Sequence, residues 1–233
     1  MNRYYIDSHI HLDLFKELQP IVDYINTNKI YTIAVTNHPK VYEQFCTRIN
    51  SQYIRLSLGM HPQLIDMVNM TLFKKYIGEV GLDFSDNFSS IQQKEKQIDV
   101  FEQIIRLSKN KAISIHSKKA EGYVLDCIEK YYDKSSFYIL HWYTGSIKNL
   151  KRAIDLGCYF SINLDLASTK HFKEYIKNIP RDKILTETDL PFSTKGRLSN
   201  INILVRDLGK CYDLKDMMEC IFSNFYNILY NIH

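Results

Sequence analysis

Short runs of aliphatic, β-branched and aromatic residues recur along the chain, with room for a helix between one and the next. They lie at residues 3–8 (RYYIDS), 30–36 (IYTIAVT), 53–59 (YIRLSLG), 75–81 (KYIGEVG), 112–117 (AISIHS), 137–142 (FYILHW), 158–162 (CYFSI) and 183–188 (KILTET). Most are apolar nearly throughout rather than alternating, the pattern of strands buried on both faces. Amphipathic stretches separate them. The clearest runs from Ser90 to Lys109, where Ile98, Phe101, Ile104, Ile105 and Leu107 mark one face among Lys, Glu and Gln. Others follow Leu12, Pro39, Lys118, Ser146 and Ser168. Buried strands alternating with helices predict an α/β fold with a helix-covered parallel sheet. Eight such units predict a single compact (β/α)8 TIM barrel over residues 1–233, slightly below the roughly 250 residues typical of that fold. The rival is a doubly wound open sheet, which usually carries a glycine-rich first turn. Here the first turn reads DSHIHLD.

Composition narrows the class without changing the fold. Residues of the set AVILMFWYC make up 45% and DEKR 24% of the 233, ordinary globular usage that excludes a disordered or coiled-coil chain. Eight Gly and five Pro predict short loops. A net charge of +4 from scattered residues permits a polyanionic partner without demonstrating one. The five cysteines are odd in number and never spaced as CxxC, so reduced, mostly buried thiols are expected rather than disulfides or a thiolate zinc site. No apolar run approaches 18 residues, and Asp7, His9 and His11 interrupt the start where a signal peptide needs an apolar stretch. The expectation is a cytoplasmic protein with no membrane partner.

Chemistry enters through the polar residues placed on this rhythm. His9 and His11 close the first strand, Glu79 the fourth, His116 the fifth and His141 the sixth, while Asp189 lies just past the eighth. In a barrel the carboxyl-terminal strand ends share one mouth, where active sites are built. Histidine and carboxylate are the side chains that bind first-row divalent metals, and four His with one Glu and one Asp suffice for two ions sharing a carboxylate. A lone strand-end histidine is more often a hydrogen-bonded rim residue. The HIH pair is better evidence, because residues two apart on a strand point the same way. Glu79 and Asp189 are carboxylates within or beside apolar runs, and burial of such a charge calls for something cationic beside it.

The blocks IDSHIHLD, LGMHP, GEVGLD, IHSKKA, LHWYTGS and TETDLP occur in this order between residues 6 and 191, with SNFYNIL near the end. Together they resemble the signature blocks of the TatD family of metal-dependent deoxyribonucleases. The resemblance implies an amidohydrolase-type TIM barrel, two divalent metal ions, and phosphodiester hydrolysis at nucleic-acid ends, with DNA ends or single strands as partners. It assigns His9, His11 and Asp189 to one ion, His116 and His141 to the second, and Glu79 as the bridge. His61 matches a substrate-facing position that would donate to phosphate; a brace for the loop beside Pro62 is the alternative. Asp7 and Asp83 match acidic positions beside the site, with helix capping as the alternative. Glu187 would point to the same side as Asp189, although an ordinary salt bridge also explains it. The resemblance also hints at a subset of the family encoded in four-gene antiviral defence cassettes of bacteria, which would add protein partners in a defence complex. The chain departs from the family where Lys118 stands for an arginine, losing a bidentate grip on phosphate. The short stretch from Leu64 to Lys74 implies a cut-back rim.

The resulting expectation is a deoxyribonuclease in which Glu79 fixes two ions and Asp189 accepts the attacking water's proton. By ligand softness the imidazoles favour Zn, Mn, Fe or Ni over Mg, although Mg serves many of the family's nucleases, and the ion's identity stays open. Substrate contacts are assigned to His61, Lys118 and Trp142, with Tyr143 also at the mouth. Lys119, Lys148, Lys195 and Arg197 are further rim cations, or simply solvated side chains. The competing readings are an amidohydrolase or esterase acting on a small molecule or aminoacyl ester, and a catalytically silent barrel in a defence or repair assembly.

Overall fold

The computed structural model describes residues 4–65 and 75–232. Eight strands alternate with helices: β1 (Tyr5–Ile10), α1 (Gln19–Asn28), β2 (Ile30–Val35), α2 (Pro39–Phe45), β3 (Ile54–Met60), β4 (Tyr76–Asp83), α3 (Ile91–Leu107), β5 (Ala112–Lys118), α4 (Glu121–Lys130), β6 (Phe137–His141), α5 (Ile147–Asp155), β7 (Tyr159–Ile162), α6 (Leu164–Ala167), α7 (Phe172–Asn178), β8 (Ile184–Thr186), α8 (Ile201–Cys211) and α9 (Met217–Tyr230). The strands pair in parallel in the order β1 to β8. The ends of the sheet are joined by polar bonds: Ser8 Oγ donates to the Thr186 carbonyl at 3.0 Å, Thr186 Oγ1 to that of Ile6 at 2.6 Å, and the Asp189 amide to that of His9 at 2.9 Å. The result is the expected TIM barrel, and the open-sheet alternative falls.

Local chemistry explains the boundaries. Ser90 caps α3 through the Gln93 amide, and the Gln93 side chain returns to the Ser90 backbone, so the helix starts where its apolar spacing does. The segment after Leu12 differs from expectation: it forms one 3-10 turn, and α1 begins only at Gln19, with Pro20 in its first turn, where a missing amide costs nothing. The stretch around Ser168 splits into α6 before it and α7 beyond it. In SNFYNIL, the buried Asn224 donates to the carbonyls of Arg181 and Ile184, both at 2.8 Å, fastening α9 to the start of β8. Among the described residues no helix is long and apolar enough to cross a membrane. Leu64 and Ile65 are described, but the rest of the stretch from Leu64 to Lys74, read as a cut-back rim, lies outside the described residues.

β4 extends to Asp83, which places Glu79 within the strand rather than at its end, at an irregularity in its pairing with both neighbours. Gly81, at a φ of +143°, permits this path: a Cβ there would lie 2.0 Å from the His116 carbonyl oxygen. Gly81→Ala is therefore expected to cost more than about 1 kcal/mol and to disturb the β5 segment carrying His116. An unchanged urea midpoint would contradict this.

Candidate metal centre

The barrel brings all six candidate residues to one place. His9, inside β1, is fully buried, with Nδ1 2.7 Å from Ser114 Oγ and its ring stacked on His141 at 3.9 Å between centroids. This turns Nε2 toward the centre, 3.3 Å from Nε2 of His11. Asp189 Oδ1 lies 3.7 Å from His9 Nε2 and 3.6 Å from His11 Nε2. Glu79 stands between two groups. Its Oε2 faces His11 at 3.3 Å and His9 at 3.8 Å; its Oε1 faces His116 Nδ1 at 2.8 Å, His141 Nε2 at 2.9 Å and His61 Nε2 at 3.6 Å.

Buried acidic and polar groups aim these rings. Asp83 Oδ2 accepts from Gln63 Nε2 at 2.7 Å and meets His116 Nε2 at 3.3 Å, leaving Nδ1 for the centre. Asp7 accepts from the Thr188 amide at 2.9 Å and its hydroxyl at 2.6 Å, fixing the residue before Asp189. Asp83 thus takes the orienting alternative, toward His116, while Asp7 steadies Thr188, and neither side chain caps a helix. Glu187 is buried rather than part of a surface salt bridge: it accepts from Ser161 Oγ, from Asn163 Nδ2 at 3.0 Å and from the Trp142 amide at 3.1 Å, and it faces His141 Nδ1 at 3.8 Å. Trp142 and Asp189 both adopt positive φ, 41° and 50°, held by these backbone bonds. Strain of this kind persists where surrounding contacts over-determine the backbone, often beside functional groups.

The electrostatics call for positive charge. Burial would raise the Glu79 carboxyl, yet the imidazoles of His141, His61, His11 and His116 hold it well below the ordinary carboxylate range. Burial pushes Asp189 up to about 7 against the pull of His141. His9 is held far below its usual range by burial and by the neighbouring His141, and burial lowers His61 to about 4. Burial opposes charge on His116 and His141 too, but carboxylates prevail and raise both, Asp83 and Glu79 for the first, Glu79 and Glu187 for the second. Two imidazolium groups or divalent cations can satisfy the same carboxylates, and cation binding requires the imidazoles to lose their protons.

The donor set fits cations. Ligands roughly 2.0–2.1 Å from a tetrahedral ion stand about 3.4 Å from one another, close to the spacings found here. Among the described residues, three overlapping sets have ligand atoms within 4.8 Å of one another: His9, Glu79 and His141; His9, His11 and Asp189; and His61, Glu79 and His116. His11 Nδ1, His141 Nδ1 and Asp189 Oδ1 are buried without a hydrogen-bond partner among the described residues. A buried carboxylate oxygen without a donor is what a cation would relieve.

The cluster floors a cavity of about 520 Å³. His61, Lys118 and Trp142 line it, as do Phe192 and Gln63, which sequence reasoning did not single out. His61 Nδ1 accepts from the Gln63 amide at 3.2 Å, so the proton of neutral His61 sits on Nε2, facing Glu79; it both braces its loop and presents a donor to the cavity. Tyr143 is a correction: it is buried against Phe160 and Tyr175, not at the mouth. Lys119 pairs with Asp86 at 2.8 Å, and neither it nor the exposed Lys148, Lys195 and Arg197 is among the described residues lining the cavity.

Residues 6–217 match the model of a family described as TatD related DNase. The chain is 27% identical to human deoxyribonuclease TATDN3, over 80% of this chain and 77% of that protein. It is 32% identical to the 3'-5' ssDNA/RNA exonuclease TatD of Citrobacter koseri, over 50% of this chain and 45% of that protein. The fold matches the crystal structure of a TatD family hydrolase from Entamoeba histolytica, with a TM-score of 0.81, 13% identity and 98% of each chain covered.

If the cluster holds cations, Mn or Zn added to chelator-stripped protein at 100 times Kd stabilises it by about 2.7 kcal/mol, seen as a rise in Tm that Glu79→Ala loses. Equal rises in both proteins would contradict this.

Proposed function

We propose that this chain, which belongs to the TatD-related DNase family, is a metal-dependent phosphodiester hydrolase acting as a deoxyribonuclease on DNA ends through two divalent ions. One observation carries the reading: the two oxygens of Glu79 face opposite histidine groups. On this reading His9, His11 and Asp189 would hold one ion and His116 and His141 the other, with an oxygen of Glu79 turned toward each group. Divalent ions so held supply Lewis-acid activation of water and of a phosphoryl oxygen at neutral pH. Mg, Mn and Zn are all admitted by the donor set, with imidazole favouring the latter two.

The chain's own groups do the rest. Asp189, beside His9 and His11, accepts the proton of the water that attacks phosphorus. The new bond joins the water oxygen to phosphorus, the bond to the leaving sugar oxygen breaks, and that oxygen takes up a proton from solvent. His61 donates from Nε2 to a non-bridging phosphate oxygen, and Lys118 adds charge at the rim. Trp142 offers a flat ring for a base, the part of an unpaired strand that phosphate contacts leave free. The Citrobacter koseri relative's name supports single strands read from the 3' end, with DNA and RNA both to be tested.

A second reading is a metal-dependent amidohydrolase or esterase acting on a small molecule or aminoacyl ester. The sparse cationic lining, Lys118 among the described residues, favours it, since phosphate recognition commonly uses several cations. The relatives named above lend no support to an antiphage assembly, and the chemistry proposed needs no protein partner.

Strands labelled at one end and incubated with stripped protein plus Mg, Mn or Zn are expected to lose mononucleotides from one end in a chelator-sensitive time course. Asp189→Ala, loaded with both ions, should lower kcat by roughly 10²- to 10⁴-fold. Full activity in that variant removes Asp189 from its role; ester or amide hydrolysis without nucleotide release selects the second reading.

A further inference from the structure

The two histidine groups that flank Glu79 are supported unequally. On the Oε2 side, His9 is fully buried and held by Ser114 Oγ and by its stack on His141, His11 is 1% exposed, and the Asp189 amide is bonded to the His9 carbonyl. On the Oε1 side, the His116 side chain keeps 17% of its surface open, and its Nε2 meets Asp83 Oδ2 at 3.3 Å.

Asp83 is in turn held from three directions. Gln97, a buried residue of α3, takes both polar groups of its backbone: Gln97 Oε1 accepts from the Asp83 amide at 2.7 Å, and Gln97 Nε2 donates to the Asp83 carbonyl at 2.9 Å. Oδ1 accepts from the Ser85 amide at 2.8 Å. Oδ2, the oxygen that meets His116, accepts from Gln63 Nε2 at 2.7 Å. Strand, turn and helix therefore fix the backbone and Oδ1, whereas Oδ2 is steered by an exposed side chain on the 3-10 turn Pro62–Leu64 at the cavity wall. The Gln63 backbone amide also donates to His61 Nδ1 at 3.2 Å, so one residue acts on two of the rings that face Glu79 Oε1.

We propose that Gln63 is a positioning residue whose side chain sets cation affinity on the Glu79 Oε1 side and leaves the Oε2 side unaffected. The inference rests on the two-ion reading and adds what governs one of the two ions. An imidazole that binds a metal is oriented, and made more basic, by the acceptor on its other nitrogen. With Nε2 of His116 donating to Asp83, Nδ1 is the nitrogen left to act as a ligand. Gln63 steers that acceptor without carrying charge of its own. The negative charge of Asp83 thus stays available to the imidazole, where a lysine or arginine in place of Gln63 would draw it into an ion pair. Without the Gln63 donor, Oδ2 is free to turn toward water in the cavity, and the partly exposed His116 ring loses its fixed direction.

Chelator-stripped protein titrated with Mn, followed by calorimetry and by the EPR signal of free Mn, reads both sites without turnover. The wild type is expected to take up two ions per chain. Gln63→Leu and Gln63→Met remove the donor at an exposed position, so the melting temperature of the stripped protein should not change. Each should weaken one ion by roughly 10- to 100-fold and leave the other as it was. In crystals of Gln63→Leu soaked at a Mn concentration between the two resulting Kd values, the anomalous peak beside His116 should be lost and that beside His9 kept. Titrations that match the wild type, or a loss shared equally by both sites, overturn the proposal while leaving the two-ion reading intact. A wild type that binds fewer than two ions overturns both.

Discussion

A carboxylate removed from water must be neutralised, and Glu79 lies within a barrel strand at 3% exposure, with imidazoles on both sides and Asp189 beyond them. The histidines of the cluster meet that demand, each with a ring nitrogen turned toward a Glu79 oxygen. Five histidines crowd within a few Å of two carboxylates, a placement that would be costly if all were neutral or all charged. Protons on His116 and His141 meet the demand in one way, divalent cations in another, and the second leaves the imidazole lone pairs free to act as ligands.

Precision comes from the groups behind the cluster. Ser114 turns His9, Asp83 turns His116, Glu187 faces His141 and ties the Trp142 backbone, and Asp7 ties Thr188 next to Asp189. Each comes from a different strand or strand end than the residue it steadies, or from the opposite end of the chain. The cluster is therefore only as well placed as the barrel is closed. This is why the bonds between β1 and the segment around β8 matter to chemistry as well as to architecture: the Asp189 amide on the His9 carbonyl joins two of the candidate ligands through the backbone.

Much of this was legible in the sequence, for physical reasons. Strands buried on both faces are nearly continuous apolar runs, so all eight could be read and their ends carried the histidines together. The irregularity in β4 was not legible. It falls between Ile77 and Val80, around Glu79, and the strand then runs on to Asp83, with Gly81 passing the His116 carbonyl 35 positions away in sequence, so Glu79 lies in the strand interior. The supporting roles of Glu187 and Ser114 were equally hidden, since a carboxylate or hydroxyl on a strand has no local signature that separates an orienting group from a rim residue. Tyr143 failed as a mouth residue because the positive φ at Trp142 redirects the chain and sends the next side chain into the core. Phe192 was missed because proximity to Asp189 in sequence says nothing of where a loop side chain points.

Anomalous diffraction from crystals of the protein loaded with Mn decides whether Glu79 lies between two cation sites or beside one. Two peaks are expected, one on the Oε2 side with His9, His11 and Asp189 and one on the Oε1 side with His116 and His141; a single peak, or none at this cluster, rules out the shared carboxylate.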